Sequence, residues 1–190
     1  MLCGLILAAG AGRRFGEEPK LLAELGGRPL LELAVAAQCA VAELQRVVVV
    51  LGAKAGQLQA SVDFGRAEWV LCSDWSEGIA ASLRCGAAAL AGASKVILTL
   101  GDEPLISPAV IARFLDEPPG SRAVYDGRPG HPVVLGPDQL GAIARLTGDQ
   151  GARELIRGGA EIECAGLALS RDVDTRDDLE AIRRVQQSRR

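Results

Sequence analysis

Glycines and fixed cations alternate near the start of the chain: Gly10, Gly12, Arg13, Arg14 and Gly16, with Lys20 just beyond. Where side chains are absent, backbone N–H groups can approach phosphate oxygens closely, and Arg and Lys neutralise the charge that amides alone cannot. The spacing G-x-G-R-R-x-G-x-x-x-K is neither of the two commonest nucleotide loops. A dinucleotide fingerprint needs a third glycine where Phe15 stands, and no G-x-x-x-x-G-K-[ST] string occurs. The loop suits the holding of a triphosphate; the plainer alternative is a strand-to-helix turn with solvated arginines.

Carboxylates supply the second kind of chemistry. Asp102 follows the apolar run Val96-Ile97-Leu98-Thr99-Leu100-Gly101 and precedes Glu103-Pro104. An acid at a buried strand's end, with glycine before it and proline after it, is placed to hold magnesium, which takes one or two carboxylates together with phosphate oxygens and water. Capping its own turn is the alternative for Asp102. Asp172, Asp174, Asp177 and Asp178 open the last helical segment. There Asp177 and Asp178 favour the positive end of the helix dipole, while Asp174 is open between helix cap and metal ligand. Lys20, anchored by Leu21-Leu22, can place a compact charge on a phosphate.

His131 is the only histidine and sits between Gly130 and Pro132. With no G-x-S-x-G elbow and no second histidine, neither a serine-histidine triad nor a His-rich metal site has support. Shaping a loop and touching a second substrate are its two open roles. Ser82, in Gly78-Ile79-Ala80-Ala81-Ser82-Leu83, could bond a base edge or ribose, or could serve with the neighbouring small residues to pack a helix closely against a sheet.

The elements that must position these residues are legible as apolar runs at 2–7, 47–51, 69–72, 96–100, 123–125, 133–135 and 162–164. The first, second and fourth are continuous rather than alternating, as expected of strands covered on both faces. Helical segments are predicted at 29–41, 56–62, 77–90, 108–115, 137–146, 150–157 and 175–187. Pro29, Pro108 and Pro137 suit first-turn positions, and Ser107 suits an N-cap. Strands alternating with helices predict an α/β chain with a mostly parallel sheet and helices on both faces. Ligands of such sheets sit at the carboxyl ends of the strands, so the loop at 8–16 and the Gly101-Asp102 step should face one crevice. Residues 117–120 and 126–130 read as turns or loops. No linker or repeat divides the chain, which predicts one domain over 1–190.

Composition narrows the function classes. A 190-residue chain that is 48% hydrophobic can bury a sizeable core. A net charge of −3 and a pI near 5.3 argue against nonspecific nucleic-acid binding, and an aromatic content of 3% supplies few stacking platforms. Five cysteines without C-x-x-C spacing, and no leader or membrane-spanning run, point to buried thiols in a reducing compartment; a cytoplasmic location is the expectation.

Taken together, the stretch from Leu7 through Ala8, Ala9, Gly10, Ala11, Gly12 and Arg13 to Gly16, with Lys20-Leu21-Leu22, resembles the nucleotidyltransferases that complete the molybdenum cofactor. Gly26-Gly27-Arg28-Pro29, Gly78–Leu83, Gly101-Asp102-Glu103-Pro104-Leu105, Gly130-His131-Pro132-Val133, Gly148-Asp149-Gln150-Gly151-Ala152-Arg153 and Asp172-Val173-Asp174-Thr175 extend the likeness over nearly the whole chain. It implies a three-layer sandwich with a Rossmann-like sheet, as in nucleotide-diphospho-sugar transferases. Leu7-Ala8-Ala9-Gly10 looks like the members that use CTP, whereas guanylyl enzymes usually carry glycine at the Ala9 position. The implied reaction is attack of the pterin's terminal phosphate on the α-phosphorus of CTP, with release of pyrophosphate.

In that reading the segment from Leu7 to Arg13, with Lys20 and Ser82, binds the nucleotide. Arg13, Lys20 and Asp102 carry catalysis, Asp102 and Asp174 hold magnesium, and His131 and Arg153 face the pterin. A molybdoenzyme or chaperone would accept the product. Phe15 stands where methionine is usual and keeps an apolar anchor; Glu103 stands where glutamine is frequent and adds negative charge beside Asp102. Other readings are guanylyl transfer to the same cofactor, nucleotidyl transfer to a sugar or polyol phosphate, and a non-catalytic nucleotide sensor or cofactor chaperone.

Overall fold

The computed structural model describes residues 1–165 and 172–187. Its main sheet has seven strands: β1 (Leu2–Ala8), β4 (Arg46–Leu51), β5 (Glu68–Leu71), β6 (Lys95–Leu100), β7 (Arg122–Tyr125), β8 (Arg128–Leu135) and β9 (Glu161–Glu163). A two-stranded hairpin of β2 (Glu24–Leu25) and β3 (Arg28–Pro29) stands apart. Among the described residues six α-helices, α1 (Leu30–Cys39), α2 (Ala55–Ser61), α3 (Ile79–Ala89), α4 (Pro108–Arg113), α5 (Pro137–Ala142) and α6 (Arg176–Gln187), lie between or after the strands.

Strand order is β5-β4-β1-β6-β8-β7-β9. β5, β4, β1 and β6 run parallel; β8 is antiparallel to both β6 and β7, and β9 runs parallel to β7. The mostly parallel sheet expected from the sequence is present, with helices on both faces. Along β1 the side chains alternate between two cores. Ile6 and Ala8 join Leu31 and Val35 of α1, Leu58 of α2 and Val110 of α4 on one side. On the other, Leu5 and Leu7 join Ala80 and Leu83 of α3. Val47 to Val50 of β4 are divided in the same way and are at most 1% exposed. Full burial of each contributes about 1.5–3 kcal/mol, which makes this central strand pair a stiff base for the loops it carries.

From β1 the chain moves outward to β4 and β5, then returns to place β6 on the other side of β1. The order therefore reverses between β1 and β6, where parallel sheets open a crevice at their carboxyl ends. The Gly101 N–H donates to the Leu7 carbonyl at 2.9 Å, so Asp102 follows directly beside the start of the glycine loop.

Local chemistry sets the element ends. Ser107 Oγ accepts from the Val110 N–H at 3.3 Å with Pro108 in the first turn, as expected of the α4 cap. Asp178 Oδ2 accepts from the N–H groups of Asp174 and Thr175, and Thr175 Oγ1 accepts from the Asp178 N–H, forming a reciprocal cap on α6.

Three expectations change. The helix at 150–157 is reduced to a single 3-10 turn over Ala152–Glu154, because Gly148, Gly151 and Gly158-Gly159 crowd a segment too short to propagate. The helix at 137–146 splits into α5 and a 3-10 turn over Ile143–Arg145 just beyond Gly141. Of residues 126–130, only Asp126 and Gly127 make the turn, with φ of 51° and 75°, while Arg128, Pro129 and Gly130 already belong to β8. Among the described residues no helix is long and apolar enough to cross a membrane. All five cysteines are unpaired, with Cys3, Cys72 and Cys164 buried.

Candidate functional site

The glycine loop leaves β1 and turns back on itself, with Gly12 at φ +62° and Gly16 at φ +112°. A β-carbon on Gly12 would stand 3.0 Å from the Lys20 β-carbon, so this glycine both supplies the left-handed turn and lets Lys20 close against the loop. Phe15, 4% exposed, pins the loop into a small core with Leu25, Leu30, Val173 and Ile182, and the Arg176 guanidinium covers its ring at 5.6 Å from the centroid. The N–H groups of Gly10, Ala11 and Gly12 donate to no group among the described residues. Unpaired amides beside a cleft make an anion-binding surface.

That cleft, of about 640 Å³, lies over the β1–β6 switch point. One wall is the loop, from Ala9 through Gly12 to Arg13 and Arg14; the other is built from Trp75, Gly78 and Ser82 at the start of α3, with Asp149. Leu7 and Asp102 lie at its floor and rim. Ser82, 6% exposed, faces this space while its helix packs closely on the sheet, Gly86 leaving no room for a side chain against Leu5. Both roles weighed for the small-residue helix are therefore available at once.

Asp102 is held from two directions. The Val173 N–H donates to its carbonyl at 2.9 Å, bringing the segment before α6 against the β6 turn. Lys20 Nζ then lies 2.5 Å from Asp102 Oδ2 and 3.3 Å from Asp174 Oδ1, and Arg14 lies 2.7 Å from Asp174 Oδ2. Burial works against charge on Lys20 more than any other single influence, but the two carboxylates together outweigh it and raise its pKa. Asp102 Oδ1 is buried and accepts no hydrogen bond.

Beside this cluster, Glu103 is 5% exposed, and one of its oxygens meets His131 Nδ1 at 3.0 Å. The Tyr125 hydroxyl donates to the His131 carbonyl at 2.7 Å, fixing the backbone of the Gly-His-Pro segment. Burial disfavours the imidazolium most strongly, yet Glu103, with Asp102 and Asp172, outweighs it and raises the His131 pKa. Desolvation also pushes the Tyr125 hydroxyl up, keeping it a neutral donor.

The structure brings Leu7, Ala9, Gly10, Ala11, Gly12, Arg13, Ser82 and Asp102 to one cleft, with Lys20 and Asp174 bonded to Asp102 directly or through the lysine. Ala8 instead points into the core beneath Gly101. His131 lies outside the cleft lining, behind Glu103. Arg153 lines a separate cleft of about 420 Å³ with Arg122 and Arg157, so the Gly148–Arg153 motif divides: Asp149 faces the first cleft and Arg153 the second.

Sequence reasoning passed over Gly52, whose hypothetical β-carbon would stand 2.6 Å from the Ala9 carbonyl oxygen, and it named Gly78 only as part of the Gly78–Leu83 motif, not for its φ of +108°, against which the Gly148 and Asp149 loop closes. A glycine ending the run at 47–51, and one opening a small-residue helix, were the available signals. Asp149 carried its signal in the same motif as Arg153.

A cleft at the switch point of a mostly parallel sheet, with a glycine-and-arginine loop on one lip and an acid on the other, defines a nucleotidyltransferase of the nucleotide-diphospho-sugar transferase fold. The MobA-like NTP transferase domain matches residues 4–165, and the chain belongs to that family. Rv0371c from Mycobacterium tuberculosis H37Rv superposes with a TM-score of 0.85 at 29% identity, covering 96% of this chain and 97% of that one. The same protein in complex with manganese gives a TM-score of 0.79 at 28% identity, covering 96% and 98%. Nicotine blue oxidoreductase of Paenarthrobacter nicotinovorans is 35% identical over 187 residues, 90% of this chain and 91% of that protein.

Proposed function

We propose that the chain transfers CMP from CTP to the terminal phosphate of molybdopterin, releasing pyrophosphate. The observation that carries this reading is the convergence of the unpaired loop amides and the Asp102 turn on one cleft of nucleotide size. The acceptor's phosphate oxygen attacks the α-phosphorus, the α–β phosphoanhydride bond breaks, and its electron pair leaves with pyrophosphate. No protein nucleophile is needed, so the chain's contribution is positioning and charge neutralisation.

The amides of Gly10, Ala11 and Gly12 would cradle the triphosphate and Arg13 would meet charge developing on it, while Lys20 would follow the β- and γ-phosphates. Ala9 and Ser82 would face the nucleoside, the Ala9 methyl narrowing the base end relative to glycine. Asp102 and Asp174 suit a hard dication with few protein ligands, since Asp102 Oδ1 is a buried acceptor without a donor. Magnesium bound there would supply further neutralisation of phosphate charge; the manganese complex of a relative at 28% identity fits a divalent ion. His131, held by Glu103, and the more distant Arg153 would serve the pterin side.

One observation favours a second reading. A relative sharing 35% of residues over nine-tenths of both chains is named an oxidoreductase. The same loop could then hold the pyrophosphate of a reduced nicotinamide dinucleotide. Phe15 in place of the fingerprint's third glycine weighs against this.

Pyrophosphate release from CTP, GTP, ATP and UTP, with and without molybdopterin, tests the proposal, run beside consumption of NADH or NADPH with nicotine blue. The expected result is pyrophosphate only with a nucleotide and molybdopterin together, and most with CTP. Dinucleotide oxidation without pyrophosphate would establish the second reading. Tight nucleotide binding with neither product would leave a sensor.

A further inference from the structure

Two acids that a divalent cation would use are already occupied by the protein's own cations. The Lys20 ammonium touches both Asp102 and Asp174, and Arg14 takes the remaining oxygen of Asp174. The Lys20 side chain is 12% exposed, so this is not a solvated surface pair. Two carboxylates and two cations sum to zero charge. Adding a dication would leave a part-buried cluster at +2, with an ammonium a few ångströms from the metal, and repulsion at such a distance in a poorly solvated site is strong. The ammonium must move before the metal can bind well.

A triphosphate supplies the place for it to go. Lys20 shares a small pocket with Gly10 and Ala11, whose N–H groups are the unpaired ones, so phosphates on those amides would lie within reach of its side chain. Its backbone is fixed: it opens the 3-10 turn Lys20–Leu22, Leu21 is buried, and its β-carbon packs on Gly12. Only the outer part of the lysine chain is free to swing.

We infer that Lys20, assisted by Arg14, is a resident cation that stands in the metal's place and makes metal binding at Asp102 and Asp174 conditional on the triphosphate. This rests on the nucleotidyltransferase reading and deepens it to an order of binding: nucleotide before or with the metal, not metal first. The device keeps the acid pair neutral and closed to stray dications when no substrate is present.

The test is nucleotide-free Mn²⁺ binding, read as the loss of free Mn²⁺ signal in electron paramagnetic resonance, for the wild type, Lys20→Met, Arg14→Ala and Asp102→Asn. Methionine keeps the aliphatic stem against Gly12 and removes the charge. Lys20→Met should bind Mn²⁺ about tenfold tighter than wild type, and Arg14→Ala about two- to threefold tighter, since Arg14 is largely solvated. A residue with only a structural role would weaken or spare metal binding when replaced, never strengthen it. Should Lys20→Met fail to fold, Arg14→Ala, whose side chain is 75% exposed, decides the matter in the same direction. Unchanged or weaker binding in the lysine and arginine variants, with Asp102→Asn still losing the ion, overturns the clamp but leaves the metal site standing. Mn²⁺ binding indifferent to Asp102→Asn overturns both.

Discussion

In the parallel half of the sheet, β5-β4-β1-β6, the cleft is faced by three N–H groups without acceptors and bordered by a carboxylate oxygen without a donor among the described residues. In the mixed half, β8-β7-β9, the second cleft is lined by cations most of which are already answered: Arg122 pairs with Glu161, and Arg157 with Glu154. The first cleft sets Arg13 and Arg14 against Asp102 and Asp149, the second is lined by three arginines and two glutamates, and among the described residues it is the first that borders a buried side-chain oxygen with no donor. Unpaired buried or half-buried groups cost stability, and they persist where a ligand completes them. Chemistry should therefore concentrate at the first cleft, with the second half contributing the acceptor side through His131 of β8, which bonds Glu103 just after β6.

The sharpest way to break this comparison is Asp102→Asn, which keeps shape and removes charge. It should lower metal-dependent pyrophosphate release by on the order of 10²–10³-fold with little change in thermal midpoint. A comparable loss from Arg153→Ala would instead move the centre of activity to the second cleft.

The Glu103–His131 pair offers a smaller effect. His131 has a raised pKa in the folded protein, so the pair's stabilisation is fully present below about pH 6.5, the unfolded value, and disappears as pH rises through the folded value. Glu103→Gln should flatten the thermal midpoint across that window and raise the acceptor KM severalfold while sparing the CTP KM. A midpoint whose pH dependence survives the substitution unaltered would remove Glu103 as the cause of the shift.

Smallest is Ala9→Gly. Loss of one methyl at the cleft should narrow the CTP-over-GTP preference about three- to tenfold, at or below the lower end of the roughly 10–200-fold that one methylene commands in a closed pocket. An unchanged ratio would separate Ala9 from base selection.

How much could be read from residues follows the same division. The strands of the parallel half are continuous apolar runs, and the loops that matter follow them at once, so Gly10, Gly12, Arg13 and Asp102 were legible from position and type alone. Asp174 was visible only as one acid in a cluster, because its meeting with Lys20 and Arg14 is made by a hydrogen bond from Val173 to Asp102 across 71 positions, which no local pattern encodes. In the mixed half, glycines at 148, 151, 158 and 159 defeated the helical reading of 150–157, and the motif that looked continuous turned out to serve two clefts. Gly52 escaped notice, and Gly78 was read only as part of a motif, because their importance lies in backbone approaching from other elements.

The central claim is that the loop amides and Asp102 grip one metal-bound polyphosphate. A crystal structure with Mn²⁺ and the α,β-methylene analogue of CTP tests it directly, with the manganese located by its anomalous signal. The account predicts the ion bonded to Asp102 and to phosphate oxygens that also accept from the N–H groups of Gly10, Ala11 and Gly12, with Lys20 drawn off its carboxylates onto the phosphates. An analogue seated in the Arg122 and Arg153 cleft, or manganese bound away from Asp102, would contradict it.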